Sequence, residues 1–145
     1  DSTRKVLYIY DEYRAVKQSN AATWNALVMQ KGVTGTDLIT ADSAEPKSIA
    51  ELKSLDVRAY PVRKGPDSVL HGIQWLQGYR IIVDGACTEM IRELGAYCWK
   101  EGLPEGAVPQ PKPGNDHLID ALRYALESEQ TGRRATTRRK KEVGL

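Results

Sequence analysis

Two short segments hold the side chains best suited to chemistry. The first is Thr40-Ala41-Asp42-Ser43-Ala44-Glu45-Pro46-Lys47, in which a buried run hands Asp42 to the point where an extended chain turns into a helix. Carboxylates at the C-terminal ends of parallel strands stand on the edge where α/β sites form. The same position also suits a plain structural role, because an acid at a strand-to-helix turn can cap the helix that follows. The second segment is His117-Leu118-Ile119-Asp120. Its imidazole and carboxylate stand three residues apart and share one helix face. So placed, they can share a divalent ion, with Asp42 supplying another oxygen. The plain alternative is a surface pair near a helix N-terminus, where the macrodipole favours an acid. Spacing alone does not bring the two segments together.

Around these acids lie Lys47, Arg63, Lys64 and Lys112. Each falls at an expected turn or helix start, where phosphate contacts are often made, and each suits solvated surface charge equally well. His71 has no acidic partner at helical spacing and reads as a solvated helix residue. Asp84 ends a strand as either a supporting acid or a turn residue, and Asp11 with Glu12 reads as a strand-end turn. Cys87 and Cys98 fall in a segment that reads as one helix. At a rise of ~1.5 Å per residue they stand about 16 Å apart, too far for a disulfide, and no second Cys/His pair completes a zinc site.

The positioning elements follow from periodicity. Lys5–Tyr13 is rich in β-branched and aromatic residues and reads as a strand, with Leu7, Ile9 and Asp11 on one face and Val6, Tyr8 and Tyr10 on the other. Ser19 or Asn20 can cap a helix through Trp24, Leu27 and Val28 that Gly32 and Gly35 end. Leu38–Ala41 is a short buried strand, and Pro46 opens a helix striped by Ile49, Leu52 and Leu55. A strand over Val57–Val62, a turn at 64–67, and a helix carrying Val69, Leu70, Ile73 and Leu76 come next. Then follow a strand over Arg80–Asp84 and a helix over 87–99 with Met90, Ile91, Leu94 and Tyr97 inward. Residues 102–114, with four of the seven prolines, form a loop before a last helix that opens near Asn115 or Asp116 and carries Leu118, Leu122, Tyr124 and Ala125. Strands alternate with helices from Leu38 onward, which predicts an α/β class with a parallel component.

Composition narrows the function without naming it. The chain has 145 residues, 41% hydrophobic and 28% charged, ordinary for one globular domain. No apolar run approaches the ~20 residues of a membrane span. The first residues carry no signal-peptide pattern, so a cytoplasmic protein that does not enter a membrane is expected. No G-x-x-x-x-G-K-[ST] phosphate loop occurs. The net charge of +2 hides an asymmetry: Arg133, Arg134, Arg138, Arg139, Lys140 and Lys141 crowd the last 13 residues, while residues 1–132 hold 15 basic and 18 acidic residues and stand at −3. Residues 1–132 are expected to fold as the domain and 133–145 to be a disordered basic tail, so that affinity for a polyanion would come from a local patch or from the tail.

Three blocks carry a family resemblance. Ala41-Asp42-Ser43-Ala44-Glu45-Pro46-Lys47-Ser48-Ile49 resembles the strand-to-helix signature of phage large terminase nuclease domains. So do Lys64-Gly65-Pro66-Asp67-Ser68-Val69 with Gly72-Ile73-Gln74, and the run from Asn115 through Asp116, His117, Asp120 and Arg123 to Leu126. The blocks keep the family's order across residues 5–127. The resemblance implies a ribonuclease H-like mixed sheet flanked by helices and a metal-dependent endonuclease that cuts concatemeric DNA during genome packaging. It further implies two Mg²⁺ or Mn²⁺ ions held by Asp42, His117 and Asp120, and double-stranded DNA, a portal protein and a small terminase subunit as partners. Position and charge nominate Lys47, Arg63, Lys64 and Lys112 for the DNA. The family carries a further essential aspartate on a first strand, in a glycine-rich segment that this sequence begins too late to contain, and Asp1 is no convincing substitute. The fold is therefore expected to lack its first strands and to pair its open edges with another copy. The competing expectation is an incomplete fragment that retains only DNA binding or docking.

Overall fold

The computed structural model describes residues 1–132. Their elements run β1 (Val6–Ile9), α1 (Asn20–Lys31), β2 (Ile39–Ala41), α2 (Pro46–Ser54), β3 (Ala59–Pro61), α3 (Ser68–Gln77), β4 (Arg80–Val83), α4 (Thr88–Ala96), α5 (His117–Ala125) and α6 (Glu127–Gln130). The expected alternation of strands and helices is present. The expected disorder of residues 133–145 lies outside the described residues. None of the described helices is long and apolar enough to cross a membrane.

The described strands form two parallel two-stranded sheets, β1 with β4 and β2 with β3. In the second, Ile39 faces Ala59, Thr40 faces Tyr60 and Ala41 faces Pro61. Pro61 has no N–H to give, yet the ladder continues past it, because the Val62 N–H donates to the Ala41 carbonyl at 2.8 Å. The ladder therefore ends at the residue before Asp42. Parallel strands bring their C-terminal ends to the same edge. The stretch after β2, opening with Asp42, and the stretch after β3, with Arg63 and Lys64, leave the sheet side by side.

Helix limits follow local chemistry. The Ser19 hydroxyl accepts the Ala22 N–H at 3.2 Å to start α1, and Gly32, at φ 67, ends it in the left-handed conformation. Pro46 opens α2 where its missing N–H costs nothing. The N-termini of α4 and α5 are capped from a distance. Glu12 accepts the N–H groups of Glu89 (3.0 Å) and Met90 (2.8 Å). Glu93 Oε2 accepts those of Leu118 (2.9 Å) and Ile119 (3.2 Å). A carboxylate at a helix N-terminus also meets the positive end of the macrodipole.

These long-range caps explain where the structure departs from periodicity. The first strand stops at Ile9 instead of Tyr13, because the chain leaves the ladder to carry Glu12 to α4. Helix α4 spans Thr88–Ala96 instead of 87–99, so Cys87 and Cys98 do not share a helix: Cys87 is its buried N-cap residue and Cys98 is exposed beyond its end. Ile91, expected inward, is 46% exposed, and Glu93 takes the inward position at 3%. The Val57–Val62 strand narrows to Ala59–Pro61. Leu55 and Val69, expected on apolar stripes, are each 39% exposed.

The tightest core joins Cys87, Met90 and Ile119, with Ile9, Val83, Leu94, Tyr97, Leu118 and Leu122 packed around them. It locks α4 and α5 onto the β1–β4 sheet. On its other flanks α5 packs against β2 and α3. Ile119, 1% exposed, sits at the centre, so Ile119→Ala should cost about 2–5 kcal/mol in urea unfolding. Glu93→Ala should cost about 1.5 kcal/mol or more, since it removes charge-assisted bonds to two helix N–H groups. The exposed His71→Ala should stay within about 0.5 kcal/mol of the parent. A Glu93→Ala protein as stable as the parent would contradict the capping role.

A candidate metal and phosphate site on helix α5

Asp42 sits where β2 gives way to the turn before α2. Its Oδ1 accepts the Ala44 N–H at 2.9 Å, so the residue does fold the turn. The same oxygen accepts from Lys64 Nζ at 2.5 Å. The two residues stand 22 apart in sequence and meet because β2 and β3 end together. Both side chains keep solvent contact, at 39% for Asp42 and 41% for Lys64. The Ala44 N–H first, and then the Lys64 ammonium, hold the Asp42 carboxyl below its ordinary value of 3.8. The carboxylate in turn raises Lys64 above 10.5.

Helix α5 supplies the opposite wall. The Lys64 Nζ lies over the Tyr124 ring, 5.2 Å from its centroid, and the Arg123 guanidinium lies 5.5 Å from the same ring. Arg123 is 6% exposed and donates to Asp120 Oδ1 at 2.5 Å. Its Nε has no partner among the described residues. Room for this buried guanidinium comes from α3: a Cβ added at Gly72 would stand 3.2 Å from Arg123 Cδ. A cavity of about 220 Å³ is lined by Lys64, Ser68, Tyr97, Asp116, Asp120, Arg123 and Tyr124, among others. The Tyr97 hydroxyl is buried without a partner among the described residues, and burial raises it above 10.0.

Lys64 thus bonds Asp42 and lines one cavity with Asp120. His117 is the first residue of α5 and exposed. Lys47 is exposed in the first turn of α2, Arg63 is exposed beside Lys64, and Lys112 lies on the rim of a neighbouring cavity with Asp116. His71 is exposed, as expected, and Asp84 closes a turn by accepting the Ala86 N–H at 2.8 Å. Asp11 pairs with Lys31 at 2.6 Å. Cys87 is buried, and burial pushes its thiol up, away from the thiolate form.

The donor set suits a hard divalent ion in kind, since Asp42 and Asp120 offer carboxylate oxygens. In number it falls short: among the described residues no group of three His, Cys, Asp or Glu side chains is placed to hold a metal. Each of the two carboxylates instead meets a basic side chain.

Sequence reasoning misses Glu93 and Arg123. Both stand on apolar stripes, Glu93 three residues after Met90 and Arg123 four after Ile119. A charge at a core-facing helical position is the available signal. Tyr124, expected to serve the helix's apolar face, turns to the lysine.

Comparisons with known proteins bear on the family and the fold. Residues 1–128 match the family model described as a terminase RNase H-like domain. The chain is 34% identical to the terminase large subunit of Bacillus phage SPP1 over 133 residues, covering 89% of this chain and 31% of that protein. It is 31% identical to the terminase large subunit of Escherichia phage T5 over 136 residues, covering 87% and 30%. The chain thus spans about a third of the length of these relatives. Among solved structures, the nuclease domain of the bacteriophage SPP1 large terminase with bound Mn superposes at a TM-score of 0.79 with 32% identity, covering 89% of this chain and 74% of that one. The large terminase of a thermophilic bacteriophage shares the fold at a TM-score of 0.60 and 21% identity, covering 77% and 29%.

The depressed Asp42 carboxyl gives a sign that can be checked. An acid lowered by folding stabilises the fold above its unfolded value and loses that contribution as pH falls through the folded one. Titration of the Asp42 carboxyl carbon by NMR should give a midpoint below 3.8. Lys64→Met should move it only part of the way back, because the Ala44 N–H bond remains. A midpoint at or above 3.8 in the parent would contradict the geometry described.

Proposed function

Because the chain belongs to the terminase RNase H-like domain family, which its model matches over residues 1–128, we propose that it is the nuclease portion of a phage large terminase. In this reading the parent protein is a Mg²⁺- or Mn²⁺-dependent endonuclease that cuts concatemeric DNA as a genome is packaged. The observation that supports it is the packing of α5 on β2, with Lys64 bonded to the Asp42 carboxylate and lining the cavity that Asp120 also lines.

Asp42, His117 and Asp120 are the residues that would hold the metal, two ions in a complete site. Bound there, divalent ions supply the charge that activates an attacking water and steadies the leaving 3′ oxygen in phosphodiester hydrolysis. The chain's own residues do the positioning. The Ala44 N–H aims the Asp42 carboxylate, and buried Arg123, seated on Gly72, aims that of Asp120. Lys47, Arg63, Lys64 and Lys112 would meet the DNA backbone, where phosphate contacts fix register without reading sequence. Double-stranded DNA is then the substrate. A portal protein and a small terminase subunit would be the packaging partners, and the host cytoplasm the place of action. Among the described residues each of the two small sheets has only two strands, and their edges suit pairing with a second copy.

One observation favours a second reading, in which this chain alone binds DNA or docks without cutting: no three-donor group occurs among the described residues. Relaxation of supercoiled plasmid in Mn²⁺ separates the two. The nuclease reading expects nicking that Asp42→Ala and Asp120→Ala abolish and His71→Ala leaves intact. Folded parent chain that binds plasmid without nicking it would support the second reading. If the basic residues at 133–141 take part, affinity for a DNA duplex should fall steeply with salt, by about 0.9 log units per log unit of salt for each phosphate neutralised. Deleting residues 133–145 should then flatten that slope, and an unchanged slope would remove them from the interface.

A further inference from the structure

The two acids of the site are held by cations of opposite character. Arg123 is fixed: its side chain is 7% exposed, it is seated against the bare Cα of Gly72, and it shares a helix with Asp120. Lys64 is open to solvent: its side chain is 41% exposed, it comes from the loop between β3 and α3, and its ammonium meets the Asp42 carboxylate and the face of Tyr124. A lysine carries its charge as a compact, strongly hydrated point on a flexible stem, so it can leave one anion for another, whereas a seated guanidinium stays.

We propose that Lys64 is the resident cation of the Asp42 carboxylate, and that a divalent ion loads at Asp42 only by displacing its ammonium. Lys64 then gates metal binding. The inference rests on the assignment of Asp42 as a metal-holding acid made above. Oδ1 already accepts two hydrogen bonds, from Ala44 and from Lys64. A doubly charged ion on either oxygen of this carboxylate would stand within a few ångströms of the ammonium. Repulsion between a single and a double positive charge at that range weakens binding by about tenfold or more, even in a water-like dielectric. Once displaced, the four-carbon stem keeps the ammonium within the cavity that Asp120 and Arg123 line, where a DNA phosphodiester is its natural next partner. A base that blocks the metal in the resting protein becomes a phosphate contact in the loaded one.

Free Mn²⁺ measured by electron paramagnetic resonance during titration of the parent chain, Lys64→Met and Asp42→Asn tests this without any cleavage step. Lys64→Met keeps the stem and removes the charge, and should bind Mn²⁺ about tenfold tighter than the parent. The double variant Lys64→Met/Asp42→Asn should lose that gain. Lys64→Gln, with thermal unfolding of each protein alongside, guards against a misfolded variant and should give the same direction. Equal or weaker binding in Lys64→Met and Lys64→Gln, including no detectable binding by any of the proteins, overturns the gate. If Asp42→Asn weakens binding while Lys64→Met fails to tighten it, the gate alone falls. If the parent binds Mn²⁺ and Asp42→Asn binds it equally well, the assignment of Asp42 falls and takes the gate with it.

Discussion

Helix α5 is held by a carboxylate that belongs to another helix, and the candidate site depends on that bond. Glu93 gives one oxygen to the N–H groups of Leu118 and Ile119, inside a core where it is 3% exposed. Burying a carboxylate is costly unless it is well paired, so the arrangement is stable only when α5 starts at this place and in this direction. The other Glu93 oxygen has no partner among the described residues, which makes the pairing to α5 the main return on that burial. From this fixed start, helical spacing sets everything that follows. Ile119 enters the core, Asp120 and Arg123 reach the cavity, and Tyr124 lies under Lys64.

The second requirement is the shared ending of β2 and β3. Their ladder runs through the Val62 N–H to Ala41, and the residues released on either side are an acid and two bases. No charge is buried to achieve this. Asp42 and Lys64 both keep solvent contact, and an exposed pair of this kind contributes only about 0.2–1 kcal/mol. The pair therefore adds little to stability and leaves Lys64 free to respond to a stronger ligand. Arg123 and Asp120 divide the work differently, with the base buried and the acid open to solvent. Folding supplies rigidity on the α5 side of the site and exchangeable charge on the β2 side.

Much of this is legible in the sequence because it rests on local rules. Ser19, Gly32 and Pro46 bound their helices as capping chemistry requires. The alternation of short strands and amphipathic helices points to the parallel α/β class, and the blocks around Asp42 and His117–Asp120 point to the family. What is not legible depends on contacts between distant segments. Nothing near Glu12 or Glu93 announces that each caps a helix start more than 20 residues away. That distance is why periodicity runs the first strand too far and draws α4 across both cysteines. Ile91 reads as inward because it is apolar, whereas the buried acid at Glu93 rotates the helix by its need for a partner. The joining of Asp42 to α5 is likewise invisible to spacing, since it follows from α5 packing across β2.

The central claim is that the end of β2 and the exposed turn of α5 form one divalent-ion site. Paramagnetic broadening of backbone amide signals by substoichiometric Mn²⁺ tests it directly, because broadening falls steeply with distance from the ion. The amides of Asp42 and Ser43 and those of His117 to Arg123 should broaden together at the lowest Mn²⁺, while Trp24 on α1 stays sharp. Broadening of the Asp42 turn without α5, of α5 without the turn, or first around Asp11 and Glu12 would contradict it.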